Sequence, residues 1–509
     1  MTTIYDKEAM LCQLDETFAE LKSYIYESVG NQEIHEVEKT VFAKLQQLGR
    51  SLLQLFISQS GTGYEAGNPP LSAEGQAMKY KGIVESPYYS IFGELQIRRA
   101  GYADSSGDYM YPLDAKLNLP DRKYSYLLQE WIEASATESD FRTTVERFNE
   151  MFDFSFFPQM PQRLAATISQ QVDPFYDQVE APPEETEGSH LAISADSKGV
   201  RLVRSERSDS EAEENSPKAR LGKGEKRGIK KEAIATADFS FNPQARAPEE
   251  IVKALLNRYS PQERQEAQSE RQKRHQQGLP EPRAALNKHV RATLEGKAVA
   301  FSYLMTRLLK RDPKGEKKLI ALLDGDPYLE EMLIKKLKDH NCHDRLDALI
   351  LDIIHVSEYI WDVATALHGE KNPQRIKWVE HKLLALLNSK VGRVIGGLKQ
   401  TLTKSKLAKA QKNALLKAIT YFDNHRHMMD YATYLKKGYP IATGLIEGTC
   451  GSLVKDRMEQ SGMRWSLAGA KAILHLRAVM KNDDWHNFWM FYIDTERERL
   501  YPNFYRKAA

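Results

Sequence analysis

The chain opens with two runs in which apolar residues recur every three or four positions. Leu11, Leu14, Phe18, Leu21 and Ile25 form the first, and Ile34, Val37, Val41, Leu45, Leu48, Leu52 and Leu55 the second. That period puts each set on one face of a helix. Gly30-Asn31 separates them, so residues 1–60 predict an antiparallel helical hairpin or a dimer seam. Gly61, Gly63, Gly67 and Asn68-Pro69-Pro70 open a turn-rich segment over 61–123. Within it, residues 88–112 carry β-branched and aromatic residues around Ser105-Ser106-Gly107-Asp108, which predicts a two-stranded ribbon with a glycine-containing turn. Helical patterning resumes over 124–180. Thr137-x-x-Asp140 fits a capping box, Phe141, Val145 and Phe148 form the apolar stripe behind it, and Pro161 starts a further short helix. Short helices in succession suit either a helix-turn-helix unit or a small packing domain.

Beyond the linker at Ala181–Gly188 the period changes again. His190 to Asp196, Leu319 to Asp324 and Leu346 to Asp352 each read as a short buried strand that ends on a carboxylate, and Ile229 to Phe241 reads as another strand. Residues 205–229 lack large apolar side chains and predict a solvated loop, and Ala247 to Leu286 is helical but intensely polar. Together these suggest a polar arm over about 205–290. Residues 356–440 look helical throughout. The fold expected is therefore a mixed α+β or α/β one: a core over 189–355, a helical insertion over 356–440, and a second part of the core with C-terminal helices over 441–509, all preceded by a mainly helical region.

Composition narrows the class. Among 509 residues, no stretch approaches the roughly 18 uncharged apolar residues of a membrane span. The first residues lack the order of a secretory signal. Cys12, Cys342 and Cys450 are far apart with no CxxC spacing, so a disulfide scaffold and a cysteine zinc site are both disfavoured and a cytoplasmic location is expected. The net charge of +2 averages unlike parts. Residues 101–190 hold 6 Lys/Arg against 17 Asp/Glu, a net of −11. Residues 201–320 hold 27 against 17, and 371–420 hold 12 against the single Glu380. Basic segregation of this size points to a polyanion, of which nucleic acid is the commonest.

The strand-end carboxylates supply the candidate chemistry. Ends of buried strands are where α/β sheets build active sites. A fourth acid, Glu447, lies among small residues (Thr443, Gly444, Gly448, Thr449, Gly451) that let a following helix approach the sheet closely. Converging carboxylates without cysteine or paired-histidine ligands suit Mg²⁺ or Mn²⁺. Two such ions activate an attacking oxygen and stabilise the leaving one in phosphoryl transfer. With the basic stretches, this indicates a nucleic-acid phosphodiester as substrate.

These residues carry a family resemblance. Ser194-Ala-Asp-Ser-Lys-Gly-Val200, Leu322-Leu-Asp-Gly325, Leu351-Asp-Ile-Ile-His355 and the block from Gly444 to Ser466 resemble, in that order, a bacterial insertion-sequence transposase of the ISKra type; Tyr111-Pro-Leu-Asp114 adds a looser likeness. The resemblance implies a ribonuclease H-like catalytic core, interrupted by the polar arm and the helical insertion. It implies cleavage of element ends and joining of the 3′-hydroxyls to target DNA, with two Mg²⁺ (or Mn²⁺) ions. The catalytic and metal-holding residues it implies are Asp196, Asp324 and Glu447. Asp326 competes with Asp324, which is preferred because it directly ends the strand. Asp352 and His355 would orient the site or position DNA. Lys455, Arg457, Arg464 and Trp465, with Lys404, Lys406, Lys409 and Lys412 in the basic insertion, would contact DNA. Partners implied are double-stranded DNA, at the terminal inverted repeats and the target, and a second copy in a dimer, with 1–60 in dimerisation or DNA-end binding. Where members often carry ribbon cysteines, this chain reads Tyr102-Ala-Asp-Ser-Ser-Gly-Asp, so no zinc site is supported there. Two other readings share the fold: an inactive DNA-binding regulator, and a structure-selective nuclease.

Overall fold

The computed structural model describes residues 7–72, 75–203, 229–277, 285–442 and 450–502. The chain is α+β and divides into two units, one built from residues 1–176 and 483–509, the other from 177–482.

The first unit begins with α1 (Lys7–Ser28) and α2 (Ile34–Gln59). They run antiparallel, since Lys44 pairs with Glu20 at 3.0 Å and Ser58 donates to Met10 Sδ at 3.5 Å. The hairpin predicted from the apolar period is thus present. The ribbon expected over 88–112 is displaced. β1 (Lys79–Ser90) pairs antiparallel with β2 (Gly93–Ala103), turning at Ile91-Phe92, and the Ser-Ser-Gly-Asp turn joins β2 only to the two-residue β3 (Tyr109–Met110). Tyr111-Pro-Leu-Asp114 is structural. Pro112 starts α3 (Pro112–Leu117), Leu113 is fully buried, the Arg99 guanidinium lies 4.1 Å from the Tyr111 ring centroid, and Arg99 pairs with Asp114. Gly63, at φ +71°, leaves room for this helix start: a Cβ there would stand 2.6 Å from Leu113 N.

Four helices follow: α4 (Tyr126–Glu138), α5 (Phe141–Phe152), α6 (Gln159–Ile168) and α7 (Val172–Gln178). The expected capping box is corrected. Asp140, not Thr137, is the N-cap of α5, accepting from Arg142 N and Thr143 N at 3.0 Å each. Thr137 lies inside α4 and donates to Ala134 O.

The second unit is built on one five-stranded sheet of order β6-β5-β4-β7-β8. β4 (His190–Leu202), β5 (Ile229–Phe241) and β6 (Leu286–Thr293) form an antiparallel meander. β7 (Lys318–Leu323) and β8 (Leu346–Leu351) then add parallel to β4. Two expectations fail here. Asp196 does not end its strand, because β4 continues to Leu202 opposite β5. The polar arm over about 205–290 is not continuous: β5 and the start of β6 lie within it, while α8 (Pro248–Leu255) and α9 (Pro261–Gln276) account for its helical part and α9 buries no side chain. The solvated loop expected at 205–229 falls largely outside the described residues.

α10 (Lys297–Arg311) packs on β5 and β6, and α11 (Pro327–Asp339) on α10. The basic insertion is helical as expected: α12 (Ile353–His368), α13 (Gln374–Leu387), α14 (Val391–Lys404), α15 (Lys409–Asn424) and α16 (Tyr431–Lys437). α17 (Leu467–Lys481) returns to β6. The final helix α18 (Trp485–Leu500), expected with the catalytic core, instead groups with the first unit, where Tyr492 meets Tyr126 edge to face.

At one end of β4 a buried ionic cluster fixes the sheet. Arg311 donates to Glu187 at 2.8 and 2.6 Å and to Asp238 at 2.6 Å. Burial pushes the Asp238 carboxyl up, but His289, Arg311 and Arg307 more than reverse this and hold it below the usual carboxylate range.

Candidate active site

The parallel register decides which side chains meet. Ala195 pairs with Leu323, and Leu323 with Leu351. Asp196, Asp324 and Asp352 are therefore the next residues along three neighbouring strands, whose spacing is about 4.8 Å. β7 and β8 stop at this row while β4 continues, so the site sits where the two parallel strands give way to helices.

Asp324 turns its carboxylate back to accept from Asp326 N at 2.9 Å. Burial, chiefly, pushes its pKa above the ordinary range. The Asp326 N–H opposes this, the Asp196 charge adds to it, and His355 works against it. Asp196 and His355 are thus each near enough to act on Asp324. Asp196 Oδ1 accepts from Ser197 N at 2.6 Å and is half-buried. His355 stands on the first turn of α12, with Nδ1 3.6 Å from Glu358.

Asp324 and Asp326 differ in their partners. Asp326 caps α11 by accepting from Tyr328 N at 2.8 Å and pairs with Lys297 at 3.0 Å. Both contacts hold the start of α11, whereas Asp324 is the carboxylate on which the Asp196 charge acts. Gly325 between them has φ +93°, and a Cβ there would stand 3.1 Å from His425, Leu351 and Tyr421 atoms. That close approach explains the Asp-Gly pair. Tyr421, missed in the sequence, donates its hydroxyl to the Asp324 carbonyl at 2.6 Å and stacks on Tyr359 at 4.1 Å. His425 Nε2 lies 2.9 Å from Gly325 O. Only their place in a helical insertion, far from the strands in sequence, concealed them.

Asp352 is fully buried and caps α12, accepting from Ile354 N at 2.8 Å. Its role is thus at least structural. Among the described residues no three acidic, histidine or cysteine side chains gather closely enough to hold a metal ion. Glu447 lies outside the described residues. The chain on either side of it is anchored at the sheet: Ile441 O accepts from Ile353 N at 3.0 Å, and a π-helical turn at Cys450–Lys455 packs on β4 and β5. Arg477, buried on α17, donates to the carbonyls of Ser452 and Leu453 in that turn.

The residues expected on DNA divide in two. Lys404, Lys406, Lys409, Lys412, Lys455 and Arg464 are exposed. Arg457 and Trp465 are corrections: Arg457 is 1% exposed, with its guanidinium 4.5 Å from the Trp465 ring centroid. Trp465 is buried, donates Nε1–H to Met458 O, and bridges backbone to Arg201 and Val203 at the far end of β4. These two close the core rather than face solvent. Inside the basic stretch the structure adds a cleft of about 540 Å³ lined by His381, Lys382, Lys390 and Arg393. Burial lowers the Lys382 pKa, and the Arg393 charge assists.

Compared with known proteins, the chain matches no protein-family model and no curated protein.

Proposed function

We propose that this chain is an Asp-Asp-Glu transposase of an insertion sequence, which cleaves element ends and joins the freed 3′-hydroxyls to target DNA. The observation that carries this reading is that Asp196 and Asp324 each directly follow the last residue pair of β4 and β7, Ala195 with Leu323, and that the Asp196 charge acts on Asp324. The mixed sheet, a three-stranded meander continued by two parallel strands, suits a ribonuclease H-like core.

The donor set fits a hard divalent cation. Two carboxylates lie side by side, and burial and the neighbour's charge make ionising Asp324 costly, a cost that a cation relieves. Asp196 and Asp324, with Glu447, would hold Mg²⁺ or Mn²⁺, which supplies an activated oxygen nucleophile and charge stabilisation at phosphorus. Tyr421 and Gly325 set the direction of Asp324, and His355 biases its ionisation. The exposed lysines at 404, 406, 409 and 412 and the cleft at Lys382 and Arg393 give the DNA backbone a basic track. Lys455 and Arg464 are exposed for contact near the block that carries Glu447. A dimer is supported by the hairpin: Leu11, Phe18 and Ile25 repeat every seven residues on α1 and remain exposed.

The test is nicking of a DNA that carries the element's own ends, with and without Mg²⁺. The intact chain nicks and joins; Asp196→Ala, Asp324→Ala and Glu447→Ala do neither. Metal-dependent nicking of branched DNA without joining would favour a structure-selective nuclease. No nicking of true ends by the intact chain would favour a regulator.

A further inference from the structure

A further cleft lies in the first unit, away from the carboxylates in sequence and in unit. It is an open groove of about 1150 Å³ between α2, the β1–β2 turn and the loop joining α5 to α6. Its volume is above the usual small-molecule range of about 300–1,000 Å³. One wall is aromatic. Phe154 stacks on Phe156 at 4.4 Å, Phe156 meets Tyr124 edge-on at 5.5 Å, and Tyr89 closes the cluster at 5.6 Å from Phe156. The loop is held in place: Asn149 accepts from Phe156 N at 2.9 Å and donates to Phe156 O at 3.1 Å. Next to it Phe157 is 73% exposed.

The charges are as informative as the rings. Residues 101–190 carry only 6 Lys/Arg against 17 Asp/Glu, yet three of those cations, Arg122, Lys123 and Arg163, line this groove. Lys39 and Arg50 of α2 join them, against Glu94, Glu150 and Asp153. Lys123 Nζ sits 4.9 Å from the Tyr89 ring centroid, so cation and ring are already interleaved. Rings that offer faces and cations that offer phosphate contacts are the two halves of an unpaired-strand binding site. A duplex conceals its base faces, and an apolar peptide leaves the cations unused.

We propose that this groove binds single-stranded DNA, bases against Phe157 and the Tyr124–Phe156 wall, phosphates against Lys123, Arg122 and Arg163. Choosing DNA over RNA rests on the transposase reading; the groove itself does not depend on the catalytic carboxylates. Fluorescence anisotropy of the full chain in EDTA, with a labelled single strand of about 15 nucleotides, its duplex and its RNA counterpart, tests it. The single strand binds more tightly than the duplex. Phe157→Ala weakens it about tenfold or more, and Lys123→Ala with Arg163→Ala lowers the salt dependence. These side chains are exposed, so the variants keep their fold, which circular dichroism checks. An unchanged affinity in Phe157→Ala, a duplex or RNA bound as well as the single strand, or loss of binding only on replacing Lys404, Lys406, Lys409 and Lys412 would overturn the proposal. So would a change of oligomeric state in Phe157→Ala without DNA, since a second copy would then fill the groove. Phe157-dependent binding without metal-dependent nicking would sink the catalytic reading and leave this one standing.

Discussion

Replacing Arg311 by Met tests how the second unit holds its sheet in register. Arg311 is fully buried and makes three charge-assisted hydrogen bonds, two to Glu187 just before β4 and one to Asp238 of β5. Met keeps the apolar stem but leaves two carboxylates buried without their shared cation. Removing one partner from a buried ion pair costs about 3–5 kcal/mol. His289 and Arg307, within 3.5 and 3.6 Å of Asp238, retain part of its stabilisation, so Glu187 loses most. In a unit of this size the cost is a drop on the order of 10 °C in Tm. Circular dichroism melts on wild type and Arg311→Met measure it. Acid should narrow the gap, because protonation relieves the stranded carboxylates. The cluster lies toward the start of β4, and Asp196 lies beyond it, so metal-dependent nicking per folded molecule should persist at low temperature. A Tm within a degree or so of wild type would refute the reasoning, as would nicking lost in fully folded protein.

Asp324→Asn should raise Tm at neutral pH while abolishing nicking. The folded pKa is raised, so the native state binds the proton more tightly than the unfolded chain. Asp324 therefore favours folding when protonated, and that contribution is lost as pH rises through its folded value. The Tm advantage of Asn should vanish in acid below the ordinary carboxylate range; an equal effect at both pH values would contradict it. Tyr421→Phe removes the hydroxyl that holds the Asp324 carbonyl and should weaken Mn²⁺ binding about 10–100-fold, by titration calorimetry, without unfolding the chain. Phe18→Glu places a charge on the exposed seam of α1 and should shift the chain to monomer in sedimentation; an unchanged oligomer would remove the hairpin from the interface.

What the sequence disclosed follows from how strongly each segment is patterned. β7 and β8 are largely apolar runs, and Asp324 and Asp352 are legible at their ends. β4 looked shorter than it is because Ser197-Lys198-Gly199 resembles a turn, while in the sheet those residues pair with β5 beyond the reach of β7. β6 was missed because Lys288, His289 and Arg291 read as solvated. In the fold, Asp238 stands 3.5 Å from His289, and Arg291 lies 3.8 Å from the Tyr303 ring centroid. The same tertiary packing hid Arg457 and Trp465: the Arg457 guanidinium lies against the Trp465 ring, and Trp465 donates Nε1–H to Met458 O. The turn at Ile91-Phe92 has one local cue, Gly93 at φ +116°, flanked by a Ser90 hydroxyl that accepts from Phe92 N. Tyr421 and His425 reach Asp324 and Gly325 from about a hundred residues away, which no local pattern encodes.

The central claim is that Asp196 and Asp324 share a cation. Iron-directed cleavage tests it most directly. Fe²⁺ in place of Mg²⁺, with ascorbate and peroxide, cuts the backbone beside the bound ion. Cuts at 196 and 324 that excess Mg²⁺ suppresses and Asp196→Asn abolishes are predicted. Cuts confined to other segments, or undiminished in Asp196→Asn, would contradict the shared site.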